Sequence, residues 1–130
     1  MAQVKHDYYF YAQQDYMACK ALYEAEIFNS VGSHASEAIE KYMKHMIQVF
    51  DIGDEELLHS HNLKALRLVV KNNFKDFDFT IADLGEISGL YFDMRYPSNS
   101  PYDIDKEVSE KLLDIVERVK VSTDRILGIE

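Results

Sequence analysis

Cysteine is nearly absent: Cys19 stands alone among 130 residues, so no disulfide can form within the chain. A single thiol at helical spacing among Ala and Leu reads as small core filler rather than as a catalytic nucleophile. Proline and glycine are scarce as well, two and five residues, which leaves little material for a many-turned β architecture and favours helices. No apolar run approaches the ~18 residues of a membrane span. The opening MAQVKHDYYFY lacks the basic-then-apolar order of a secretory signal. The expectation is a cytoplasmic protein without membrane contact. Positive charge is also in short supply, with 14 Lys and Arg against 23 Asp and Glu. The resulting net charge of −9 opposes nonspecific adhesion to DNA, RNA or an anionic surface, so no DNA partner is expected and any nucleic-acid role must be local. The common signatures GxGxxG, GxxxxGK[ST], HExxH and GxSxG are missing, which removes the usual dinucleotide, P-loop, zinc-protease and hydrolase chemistries.

What the chain does contain is an ordinary globular balance, 47% hydrophobic and 28% charged, in a length that suits one domain. Nine Tyr, seven Phe and five Met are more buried-type surface than a small monomer core readily consumes, which is compatible with a homo-oligomer.

Hydrophobic spacing predicts five helical segments. Residues 4 to 28 carry Tyr8, Ala12, Cys19, Leu22 and Glu26 on one line of three- and four-residue steps, with Asp15 in the missing step. A carboxylate there needs a partner if it is buried. A break is expected over Asn29 to Ser33, with Gly32 as punctuation and Ser30 or Ser33 as N-cap. Ala35, Ala38, Tyr42, Met46 and Val49 then continue a second helix to about Phe50 to Gly53. An acidic, His-containing connection leads to a third helix marked by Leu63, Leu66, Val70 and Phe74, ending near Lys75. Thr80 and Asp83 form a capping pair before a fourth stripe of Leu84, Ile87, Tyr91 and Met94, which Pro97 and Pro101 stop. The last helix runs from about Asp103 to Leu127 on Val108, Leu112, Ile115, Val119 and Ile126. The fold class is therefore all-α, an antiparallel four-helix up-and-down bundle with one additional short helix.

Several polar groups carry both a chemical and a bland reading. Arg95, at the end of the fourth helix in YFDMRYPSNSPYD, offers a cationic fork for phosphate; it equally suits the helix dipole and the last carbonyls. His34, Glu37, Lys41 and His45 share one ridge of the second helix, either lining a cleft or forming a solvated face with an i,i+4 pair. His59 and His61 make an H-x-H without the further ligands of a tetrahedral site, so no metal is expected. His61 with Asn62 is read as packing or capping the third helix. Lys64, Arg67, Lys71 and Lys75 make a modest basic edge that either contacts phosphates or is simply solvated.

Taken together, Asp15 with Ala18, SHASEAIEKYMKHM at 33 to 46, HNLKAL at 61 to 66 and YFDMRYP at 91 to 97 resemble the HEPN family, the higher eukaryote and prokaryote nucleotide-binding domain. The resemblance spans nearly the whole chain and makes 1–130 a single HEPN-like helical domain. It implies a compact bundle, commonly a homodimer, often beside a minimal nucleotidyltransferase as a toxin–antitoxin-like pair, with no cofactor. Many members are metal-independent endoribonucleases with Arg, four to six residues, then His: Arg steadies phosphate and His moves protons. Arg95 matches that Arg. Ser100, Pro101 and Tyr102 stand where the His belongs, so the acid/base group of the family motif is missing and the chain resembles the RYP-type branch. Tyr102 falls at the offset of a Tyr that a partner transferase modifies in toxin-like members; packing at the entry to the last helix is the alternative.

The leading expectation is a noncatalytic module that binds a nucleotide or phosphate-bearing ligand and pairs with a nucleotidyltransferase. Arg95 would hold phosphate, with Asp15, His34, Glu37 and Lys41 as inward polar partners and Tyr91 and Tyr96 as stacking or packing surfaces. Two alternatives remain open: a metal-independent endoribonuclease in which His34 or His61 replaces the missing His, and a structural dimerisation domain.

Overall fold

The computed structural model describes residues 6–95 and 104–129, with side chains for 6–88 and 104–129. Six helices follow in order: α1 (Tyr8–Glu24), α2 (Phe28–Val49), α3 (Glu55–Leu58), α4 (Leu63–Asn73), α5 (Ile81–Arg95) and α6 (Lys106–Leu127). There is no strand among the described residues.

Short acidic or amide side chains start four of these helices by accepting from the orphan amides of the first turn. Asp7 accepts from Phe10 N–H (2.9 Å), Asp54 from Leu57 N–H (2.9 Å), Asn62 from Ala65 N–H (3.2 Å) and Asp105 from Val108 N–H (2.8 Å). Thr80 and Asp83 form the reciprocal capping pair expected of them: Thr80 N–H donates to Asp83 Oδ2 (2.9 Å) and Asp83 N–H to Thr80 Oγ1 (3.0 Å). At the far end of α6, Gly128 takes the left-handed conformation, φ 76°, that lets its amide and that of Ile129 close on Arg125 and Asp124 carbonyls.

Several expectations need correction. The first helix ends at Glu24, and the break to α2 lies at Ala25–Ile27, not at Asn29 to Ser33. Glu26, expected on the apolar line, adopts φ 61° there, while the amides of Glu26 and Ile27 bond back to Tyr23 and Leu22 carbonyls. Ser30 and Ser33 therefore cap nothing. Gly32 is not punctuation but a point of close approach inside α2: a Cβ there would lie 2.7 Å from Ile104 Cδ1. Within the expected connection, Asp54 nucleates the additional one-turn helix α3, giving six helices where five were expected. Val49, placed on the buried stripe, is 54% exposed.

The core is organised around α2, which packs on α1, α6, α5 and α4. Ala35, Ala38, Ile39, Tyr42, Met43, Met46 and Ile47 are fully buried, joined by Ala12 and Cys19 of α1, Leu66 and Val70 of α4, Ile87 of α5 and Leu112, Val116 and Val119 of α6. A helix buried on so many sides must also bury polar residues, and Glu40, Lys44 and His45 are all inside. Cross-links fix the helix directions. Tyr9 donates to Asp124 (2.7 Å) and Tyr23 to Glu110 (2.5 Å), so the start of α1 meets the end of α6. Arg118, two-thirds of the way along α6, pairs with Asp83 at the start of α5. These directions are consistent with the up-and-down arrangement expected from the sequence. Among the described residues no helix is long and apolar enough to cross a membrane.

Candidate functional site

Asp15 lies on the α1 face that packs against α2, with its side chain only 13% exposed, and both its oxygens are engaged from α2. Oδ1 is 3.1 Å from His34 Nδ1, and Oδ2 accepts from Lys41 Nζ at 2.5 Å. Lys41 also lies 3.5 Å from Glu37, one turn earlier. Burial pulls the Lys41 ammonium down, but the hydrogen bonds and attraction of Asp15, then Glu37, outweigh it and hold the group above the ordinary lysine value. Lys41 is therefore a fixed cation, and Asp15 opposite it acts only as an acceptor.

That has a consequence for His34. A carboxylate held by an ammonium donates nothing, so Nδ1 must carry the proton in the 3.1 Å contact. In the neutral ring the lone pair is then on Nε2, to which no described residue donates, and the side chain is 40% exposed. The arrangement offers an oriented imidazole that accepts a proton or a hydrogen bond at one defined atom, braced by a buried carboxylate.

The ridge expected on α2 thus divides. Asp15, His34, Glu37 and Lys41 come together at the α1–α2 surface. His45 does not join them; it is buried, with its ring 5.5 Å from that of Tyr9. Arg95 is the last residue of α5, and its side chain, that of Tyr91, and the whole of Tyr96 and Tyr102 lie outside the described residues. The chain resumes at Ile104, whose N–H donates to Asn29 Oδ1 (2.8 Å) in the first turn of α2, the turn before His34.

Sequence reasoning missed two further nodes. The buried Glu40 carboxylate binds Lys44 one turn on (3.2 Å) and reaches His61 Nδ1 with both oxygens at 3.1 Å, so His61 fastens the entry to α4 onto α2. The i,i+4 spacing of Glu40 and Lys44 was visible; their burial was not. Arg118 forms the second node. Its guanidinium takes Asp83 bidentately (2.9 and 2.9 Å) and also contacts Asp78 (3.1 Å) and Asp114 (2.9 Å). Burial pushes the Asp83 carboxyl up, but Arg118 and the Thr80 contacts prevail and hold it below the usual carboxylate value.

Several of the remaining candidates make structural contacts. Arg67 donates to Phe79 O (2.5 Å), and Lys71 to Lys75 O (2.7 Å) and Phe77 O (3.0 Å), so half of the basic edge caps the loop after α4. His59 lies 3.6 Å from Glu55 on the surface. Burial, with Asp15 adding to it, pushes the Cys19 thiol up to about 12, leaving it an inert core group.

A helical domain with a carboxylate-braced imidazole at the surface of its central helix pair is the class that fold and site define. A family model for the HEPN domain matches residues 6–124, and the chain belongs to that family, a class of nucleotide-binding and RNase-type modules. No curated protein and no solved structure matches it.

Proposed function

We propose that this HEPN domain is a noncatalytic module that binds a nucleotide or other phosphate-bearing ligand at the Asp15–His34–Lys41 node. In the same reading it acts as a cytoplasmic homodimer of up-and-down bundles paired with a minimal nucleotidyltransferase in a toxin–antitoxin-like system. The observation that carries the ligand site is the pair of contacts from Asp15, which fix His34 and Lys41 while the His34 side chain stays 40% exposed. Asp15 and Glu37 outweigh the single cation Lys41, so the phosphate charge falls to Arg95, with Tyr91 and Tyr96 stacking on or packing beside the ligand. Tyr102 follows in the same stretch as the residue a partner transferase would modify. The RYP form, without the motif His, supports binding in place of cleavage.

The test is a thermal-shift series of the protein with nucleoside di- and triphosphates, repeated with Arg95→Ala. A ligand that binds only the folded state raises the midpoint by mass action. Removing a charge-assisted phosphate contact is expected to weaken binding roughly 10- to 100-fold. Shifts that are absent for every nucleotide, or unchanged in Arg95→Ala, would contradict the proposal.

A second reading is favoured by the same Asp15–His34 contact: a metal-independent endoribonuclease in which His34 Nε2 takes the 2′-hydroxyl proton and Arg95 steadies the phosphate. It requires RNA cleavage that persists in EDTA and is lost in both Arg95→Ala and His34→Ala; wild-type protein that leaves RNA intact sinks it.

A further inference from the structure

Resting on the nucleotide-binding reading above, we infer that His34 is the group that recognises the sugar of the ligand: its Nε2 accepts a hydrogen bond from a ribose hydroxyl, so the site prefers ribonucleotides to their deoxy counterparts. Three observations lead there. Asp15 is a pure acceptor because Lys41 Nζ occupies its other oxygen at 2.5 Å, which places the His34 proton on Nδ1. The ring is held at one nitrogen and 40% exposed, and no described residue donates to the other. The groups linked to it, Asp15 of α1 and, through Asp15, Lys41 and Glu37 of α2, hold a single cation, and two carboxylates already engage it. A ligand phosphate offers no proton to a neutral imidazole acceptor, whereas a ribose hydroxyl does. For this sugar contact Lys41 and Asp15 are then positioning residues: they set which ring nitrogen is the acceptor.

The expected size follows from a single neutral hydrogen bond, roughly three- to tenfold in affinity between a ribonucleotide and the deoxynucleotide lacking the contacted hydroxyl. The variant that isolates the effect is His34→Asn, whose amide N–H can still donate to Asp15 from the Nδ1 position while nothing replaces Nε2. The experiment is calorimetric titration of wild type and His34→Asn with ADP, GDP, CDP and UDP, with their 2′-deoxy and 3′-deoxy forms, and with inorganic pyrophosphate. Alongside it, the ¹⁵N shifts of the His34 ring are recorded in the free protein, a readout that a purely structural histidine need not satisfy. The inference predicts the Nδ1–H tautomer, tighter binding of at least one ribonucleotide than of one deoxy form, and loss of that difference in His34→Asn with pyrophosphate affinity unchanged. Nucleotide binding without sugar discrimination, or discrimination that survives in His34→Asn, overturns this inference and leaves the binding reading standing. No binding of any nucleotide overturns both.

Discussion

Two charged nodes of similar chemistry sit in different parts of this molecule, and they end differently. At Arg118 every group is closed: the guanidinium meets three carboxylates, and Asp83 is held twice by Arg118 and again by Thr80. Such a node ties the start of α5 and the loop before it onto α6, and its guanidinium is committed to those carboxylates even though Arg118, Asp83 and Asp114 line a cavity between the two helices. At Asp15 the carboxylate is equally saturated, but one of its partners is an imidazole with a second nitrogen, so the node passes its order outward to His34 Nε2. The Glu40 node is intermediate: Glu40 and Lys44 are buried, and His61 is bound as a fastener at the head of α4. The lesson is that in a net-acidic helical domain the functional group is found by asking which atom remains available after the structural contacts are counted.

The comparison breaks if the Arg118 node proves dispensable, and that is where the largest effect is expected. Arg118→Met should destabilise the fold by about 2 kcal/mol, since it strands a largely buried Asp83 while solvent around Arg118 itself moderates the loss. Thermal or urea unfolding measures it. Because the Asp83 carboxyl is lowered in the folded state, its stabilisation is complete above the unfolded carboxylate value near pH 4 and is lost as pH falls through the lower folded value. Asp83→Asn should therefore flatten the acid limb of the stability profile, and an unchanged limb would remove Asp83 from this account. Next in size, Thr80→Ala should cost about 1 kcal/mol through loss of the cap at α5.

At the other node the effects on stability should be smaller and those on binding larger. Lys41→Met is expected to cost about 1 kcal/mol, because Asp15 keeps His34 but loses its counter-charge. His34→Asn should change stability by less than about 0.5 kcal/mol, as expected of a partly exposed side chain whose contact to Asp15 is retained. A stability loss for His34→Asn as large as that for Arg118→Met would make the two nodes alike and both structural. Last, the folded protein should leave Cys19 unlabelled by iodoacetamide near neutral pH and expose it only on unfolding, since its thiol is pushed up to about 12.

Much of the fold was legible because apolar spacing and caps are local. The stripes of α4 and α6, the Thr80–Asp83 pair and the stop after Leu127 appear as expected. The start of α2 was not, because a Glu, not a Gly, takes the left-handed turn at position 26, while Gly32 looks like a break and is in truth a contact with Ile104. That misplaced turn matters for the site. Asp15 was marked as a carboxylate in need of a partner, and His34, Glu37 and Lys41 as a ridge. The family resemblance grouped these four as inward polar partners, but which α2 residues bond to Asp15 depends on the length and geometry of the α1–α2 turn, and spacing alone did not show it. His45 was assigned to the same ridge because spacing along one helix cannot reveal how many neighbours surround it. The Arg118 contacts to Asp78 and Asp83 and the Glu40–His61 contact join residues 21 or more positions apart, beyond the reach of any spacing rule.

The central claim is that the Asp15 node ends in an available nitrogen that a ligand uses. The direct test is a ¹⁵N NMR titration of the histidine rings with ribonucleoside diphosphates at neutral pH. The account predicts a saturable shift at His34 Nε2 with Nδ1 still protonated toward Asp15, while His61 stays put; nucleotide binding that leaves His34 Nε2 unmoved would contradict it.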